Sequence, residues 1–155
     1  MRIGISSTTK PPRITDRFRS EHADFRGRLA SLDRLRDLGA KGATIVGEVR
    51  ALSSPLLDHA EREERALFPA LAGTLGGEDG PLAVLAAEHH QLHDLIERML
   101  AAPPFPELEP LVRAFVALLH AHIAKEEGVL FPAAEAILGD ERLRDLDVPS
   151  GVLVA

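Results

Sequence analysis

The chain has no cysteine, no tryptophan and no tyrosine, and only six phenylalanines among its 155 residues. Without cysteine there are no disulfides, no thiolate metal ligands and no cysteine nucleophile, a composition that fits a reducing compartment. Without tyrosine there is no tyrosyl radical. No apolar run approaches the roughly 18 residues that a membrane helix needs. The opening MRIGISSTTKPPR places charges and prolines where a secretory signal would be apolar. A soluble, cytoplasmic protein is expected. Positive charge is also in deficit: 18 Lys and Arg against 24 Asp and Glu leave a net charge of −6, which argues against nucleic acid or an anionic membrane as the main partner. No phosphate loop, no serine triad pattern and no HExxH zinc motif is present.

What the chain does contain is Ala, Leu, Glu and Arg in helical patterns. Four long helices are predicted, over about 14–38, 41–72, 81–102 and 107–138. The first carries Phe18, His22, Phe25, Leu29 and Leu32 at spacings of three and four. GAKG, GTLGGEDGP and PPFP separate the helices, and Pro55 is expected to kink the second or restart it. Connections this short make successive helices antiparallel neighbours. The expected fold is all-α, an up-down-up-down four-helix bundle over 14–138, built from two similar helical hairpins. Residues 1–13 are expected to be a flexible segment, and 139–155 a tail with a short helix.

One stretch is written twice. HAEREERALFPA (59–70) returns as HIAKEEGVLFPA (122–133), with 7 of 12 positions identical, 122 − 59 = 63 residues later. The preceding helices match as well, with Glu-His at 21–22 and again at 88–89. Each repeated segment holds His-x-x-x-Glu: His59 with Glu63, and His122 with Glu126. Four residues turn a helix by about 400°, so each pair shares one face. Counted from the predicted turns, His22, His59, His89 and His122 lie within about five residues of one level, roughly 8 Å along a helix. A layer of this kind inside a bundle is a metal site, since unpaired buried imidazoles and carboxylates are expensive to hold otherwise.

These residues resemble the hemerythrin-like family, the haemerythrin/HHE cation-binding domain, over about residues 14–138. The resemblance implies a four-helix bundle with a non-haem di-iron centre, oxo- or hydroxo-bridged. Its ligands would be His22, His59, Glu63, His89, His122 and Glu126, with the two glutamates bridging. Leu-Phe-Pro at 67–69 and 130–132 is similar to a recurring family feature and would serve packing. Octahedral imidazole and carboxylate ligation favours iron, with manganese also acceptable, over zinc.

His93 stands at i+4 from His89, while its counterpart in the first hairpin is Arg26. Oxygen-carrying members supply two histidines from the third helix, and several repair and sensor members supply one. His93 is expected as a fifth histidine, which would leave one open position for a diatomic ligand; without it a second position opens, better suited to chemistry at the metals. Oxygen-carrying members place the last carboxylate at i+5, where Glu127 stands. On a regular helix that position lies about 140° from His122, so Glu126 is preferred and Glu127 stays an alternative. Glu64 is expected as a support behind the ligands or a surface group, and His90 and His120 as structural or solvent-exposed residues.

The expected function is binding of O2, or of NO or peroxide, for storage, delivery or sensing, more a binding protein than an enzyme. One alternative is a redox enzyme or repair factor acting on peroxide, NO or iron–sulfur clusters. Repair members carry an extra cysteine-containing N-terminal domain, and the 13 residues before the first helix do not suggest one. Another alternative is an iron-responsive regulatory module. No protein partner is indicated, although the apolar VPSGVLVA tail would support a homodimer.

Overall fold

The computed structural model describes residues 9–147. The VPSGVLVA tail (148–155), where self-association was expected, and residues 1–8 of the expected flexible segment lie outside the described residues. Four helical rods run α1 (Ile14–Asp37), α2 (Gly42–Arg62) continued by α3 (Phe68–Leu75), α4 (Pro81–Leu100), and α5 (Phe105–Lys125) continued by α6 (Phe131–Leu146). The rods pack around a square, α1 beside α2 and α5, and α4 beside α2 and α5. This is the up-down-up-down four-helix bundle. Among the described residues no helix is long and apolar enough to cross a membrane.

The predicted stripe of α1 is buried from Phe18 to Leu32. Asp16 in its first turn accepts from the Arg13 backbone N–H at 3.3 Å, and Gly39 ends the rod at φ 65°, a left-handed turn that favours glycine. Pro55 does not break α2, contrary to expectation, because it and Ala51 both face solvent. The carbonyl that loses its donor there can bond to water instead.

Both long rods widen into a single π-helical turn, Glu63–Leu67 between α2 and α3, and Glu126–Leu130 between α5 and α6. The backbone N–H of Phe68 reaches the Glu63 carbonyl, and that of Phe131 reaches Glu126, five residues back rather than four. The next residue is proline in each case, Pro69 and Pro132. Its ring crowds the carbonyl four residues earlier and it offers no N–H, so the helix opens by one residue just upstream. Arg65 and Gly128, whose carbonyls lose that donor, are exposed.

The apolar core is divided in two. One part gathers Phe25, Leu29, Leu52, Leu92, Met99, Phe115 and their neighbours. The other gathers Ile14, Phe18, Leu67, Phe68, Leu71, Leu130, Phe131 and Leu143. Leu143 belongs to a short helix that resumes after Gly139, where φ 74° and ψ 166° interrupt α6. Ion pairs Arg13–Asp140 and Arg17–Asp147 fasten that segment to the start of α1. Between the two apolar parts lies a polar layer.

Candidate metal centre

Eight polar side chains are buried among the described residues, and all but Thr15 belong to this layer: His22, His59, Glu63, Glu88, His89, His122 and Glu126. The histidines meet in pairs. His22 Nε2 faces His59 Nε2 at 3.1 Å, and His89 Nε2 faces His122 Nε2 at 3.1 Å. The two carboxylates sit between the pairs. Glu63 puts Oε1 3.4 Å from His59 and Oε2 3.2 Å from His89. Glu126 puts Oε2 3.0 Å from His22 and Oε1 2.6 Å from His122. Two four-residue sets result, His22, His59, Glu63 and Glu126, and Glu63, His89, His122 and Glu126, sharing both glutamates.

The outer ring nitrogens decide what the inner ones can do. His59 Nδ1–H donates to Glu21 at 2.8 Å and His122 Nδ1–H to Glu88 at 2.7 Å, each within its own hairpin. His22 Nδ1–H donates to Glu127 at 3.0 Å and His89 Nδ1–H to Glu64 at 2.7 Å, each across to the other hairpin. A carboxylate can only accept, so a neutral imidazole held this way carries its proton on Nδ1 and its lone pair on Nε2, aimed inward. Cations hold three of these carboxylates in turn: Arg62 on Glu21, Lys125 on Glu88, and Arg26 on Glu127 at 2.7 Å. They keep Glu21, Glu88 and Glu127 below the usual carboxylate range: for Glu127 Arg26 is the main cause, while at Glu21 and Glu88 the cation and the histidine together outweigh burial.

The inner geometry fits a cation. All four oxygens of Glu63 and Glu126 are buried, and among the described residues none meets a donor in hydrogen-bonding direction despite the short distances. Buried carboxylate oxygens are rarely left so. Paired Nε2 lone pairs at 3.1 Å repel unless a positive charge stands beside them. Where no metal stands, protons do. Burial pulls the imidazoles down, but Glu126, Glu21 and Glu63 hold His59 well above its ordinary value, and Glu126 and Glu63 push His89 up to about 10. His122 is raised against burial by Glu126. Burial lifts Glu126, yet the four histidines together drive it well below the carboxylate range.

Six of the seven residues expected as ligands are therefore brought together, and His93 is not. Its side chain is 49% exposed and its Nε2 lies 3.7 Å from Glu97, one turn further along α4. Glu126 is central, while Glu127 stands behind His22. His90 and His120 are exposed. The sequence reading did not single out Glu21 and Glu88 as supports of His59 and His122; the signal was the Glu before each first-helix histidine. The repeated Phe packs as expected, and on a specific target: Phe131 stacks on His22 at 5.4 Å and Phe68 on His89 at 5.8 Å.

Replacing Glu88 with Ala strands the His122 Nδ1–H and frees Lys125. Metal affinity should fall about 10–100-fold with helicity retained, measured by competition against a chelator of known strength. Unchanged affinity would show that Glu88 does not orient the imidazole.

Beside the four histidines lies a small apolar cavity of about 10 Å³, walled by Phe25, Leu56, Leu92 and Leu119. It has room for about one water-sized molecule.

The sequence profile described as the hemerythrin HHE cation binding domain matches residues 13–134. Among curated proteins, a DNA nickase of Nostoc sp. (strain PCC 7120) is 32% identical over 88 residues, 56% of this chain and 24% of the relative. The iron-sulfur cluster repair protein YtfE of Yersinia pestis (strain Pestoides F) is 29% identical over 102 residues, 58% of this chain and 46% of the relative. YtfE of Yersinia pseudotuberculosis serotype O:1b gives the same figures. The chain thus spans less than half the length of these relatives. No solved structure matches.

Proposed function

The chain belongs to the hemerythrin HHE cation-binding family, and from that premise we propose that His22, His59, Glu63, His89, His122 and Glu126 hold two non-haem iron ions that bind and react with O2, NO or peroxide. The observation that carries this reading is the sharing of two fully buried carboxylates by two histidine pairs. The donor set is imidazole and carboxylate, which suits iron, and manganese next, better than zinc. Bound there, a pair of irons would supply electrons to a small ligand.

The protein's own contributions are positional. Glu21, Glu64, Glu88 and Glu127 fix the tautomer of each imidazole. The apolar walls of the adjoining cavity admit a small ligand and disfavour a charged one. The four imidazoles and the two shared carboxylates would be the side chains that hold such a pair. With His93 turned outward, the chain would offer such a pair one imidazole fewer than a five-histidine set, which favours reaction over reversible carriage.

The names of the Yersinia relatives favour a second reading, in which the same centre serves iron–sulfur cluster repair. The test is the visible absorption of the reduced, iron-loaded protein before and after oxygen is added. Prompt irreversible oxidation is expected. A lasting band that vanishes when oxygen is withdrawn would instead establish reversible binding.

A further inference from the structure

The two hairpins repeat one another, but the two halves of the centre are not closed alike. Matching the histidines, 89 − 22 = 67 in the first helices and 122 − 59 = 63 in the second, aligns His22, Glu127 and Arg26 with His89, Glu64 and His93. In the first half Arg26 grips both oxygens of Glu127, at 3.0 and 2.7 Å, and seals the outer side of His22. In the second half His93 stands where that arginine would be and turns to Glu97 instead. Glu64 is left holding His89 with its side chain 39% exposed. Ala23 corresponds likewise to His90. The outcome is a surface groove of about 340 Å³ between α2 and α4, where Glu61, Glu64, His90 and His93 line a wall shared with the apolar Leu57 and Ala60, and His89 is also reached. His89 is correspondingly the most solvent-touched of the four inner histidines, at 8% against 1–3% for the others.

We propose that this groove is a transfer port for a divalent metal ion: its two imidazoles and two carboxylates pass the ion between solvent and the His89–His122 half, while the ion of the His22–His59 half is locked behind Arg26 and Glu127. The groove has the right chemistry for brief, exchangeable contacts. Its side chains are exposed and so hold a cation weakly, and Glu64 touches the buried ligand directly. No redox step is involved: one oxygen or nitrogen donor is exchanged for the next, and the protons that the inner imidazoles hold without metal leave to solvent as the ion enters. The proposal rests on the two-metal reading of the centre.

The test follows Fe(II) itself, loaded without oxygen into the full chain, then drawn out by an excess of a chromogenic Fe(II) chelator. The wild-type protein should release its two ions in two phases differing by about tenfold or more. The double variant His90→Ala/His93→Ala should slow both uptake and release of the faster ion about tenfold, with ion count, affinity and circular dichroism unchanged, whereas His120→Ala on α5 changes neither rate. Unaltered rates in the double variant overturn the port. Faster release with weakened affinity also overturns it, because His93 then acts as a ligand. Release in one phase removes the asymmetry. A wild-type chain that takes up no Fe(II) fails earlier, sinking the two-metal reading and the port with it.

Discussion

If the centre holds two ions as proposed, Glu126→Gln is expected to cost the protein both at once. Glu126 is fully buried and reaches every histidine of the centre, at 3.0 Å from His22, 3.9 Å from His59, 3.8 Å from His89 and 2.6 Å from His122. The amide keeps the shape but removes the negative charge and one of the two acceptor oxygens. Loss of an outer supporting carboxylate typically weakens a metal site by about 10–100-fold, so loss of a shared inner one should exceed about 100-fold for both ions. His22→Ala should behave differently, since His22 belongs to one of the two sets. It should leave about one ion per chain. Equilibrium dialysis with Fe(II), followed by metal analysis and circular dichroism, separates the cases. Two ions retained by Glu126→Gln would show that its carboxylate does not bridge.

Stripping the metal should lower the melting temperature, and by more at alkaline than at mildly acidic pH. A ligand at about a thousand times its Kd stabilises the native state by about 4 kcal/mol. For a chain of this length, each kcal/mol moves Tm by about 2–4 °C, so one ion alone is worth about 8–16 °C. The pH dependence follows from the imidazoles. His89 in the folded, metal-free protein titrates near 10, against an ordinary value of 6.5. Its stabilisation is complete below about 6.5 and is lost as pH climbs through 10, and His59 and His122 act in the same direction. Glu126 works from the other side: its folded value lies well below 4.5, so its contribution is present above about 4.5 and lost as pH falls through the folded value. Metal-free protein should therefore be at its firmest between about pH 4.5 and 6.5 and weaken toward 10. Loaded protein does not rely on those protons, and metal binds better where fewer compete. Melting curves with and without chelator near pH 6 and near pH 9 measure the gap, and a gap that stays constant contradicts the account.

The fold was legible because burial imposes a period. Phe18, Phe25, Leu29 and Leu32 declare the inward face of α1 without help from any partner. The inner histidines were legible because the chain states them twice, and a duplicated His-x-x-x-Glu is not a chance surface pair. His93, expected beside His89, stands apart from the inner cluster: a four-residue spacing shows that two side chains share a face but not how far round the helix is turned. In the structure α4 is rotated so that His89 points inward and His93 stands at the rim. The π turns escaped a reading that assumed regular helices. Their signal was Pro69 and Pro132, each six residues after its glutamate. Which histidines Glu64 and Glu127 support was hidden for another reason: each serves a histidine of the opposite hairpin, and no local pattern carries that information.

The polar layer between the two apolar parts also acts as an alignment mark. Helices with wholly apolar contacts can slide past one another by a turn, about 5.4 Å, and still bury leucine against leucine. Here such a slip in any rod would carry an imidazole or a carboxylate into the company of Phe115 or Leu71 and strand its partners across the bundle. The penalty for an unpartnered buried charge makes every wrong register expensive, so four ordinary amphipathic helices are left with one way to stack.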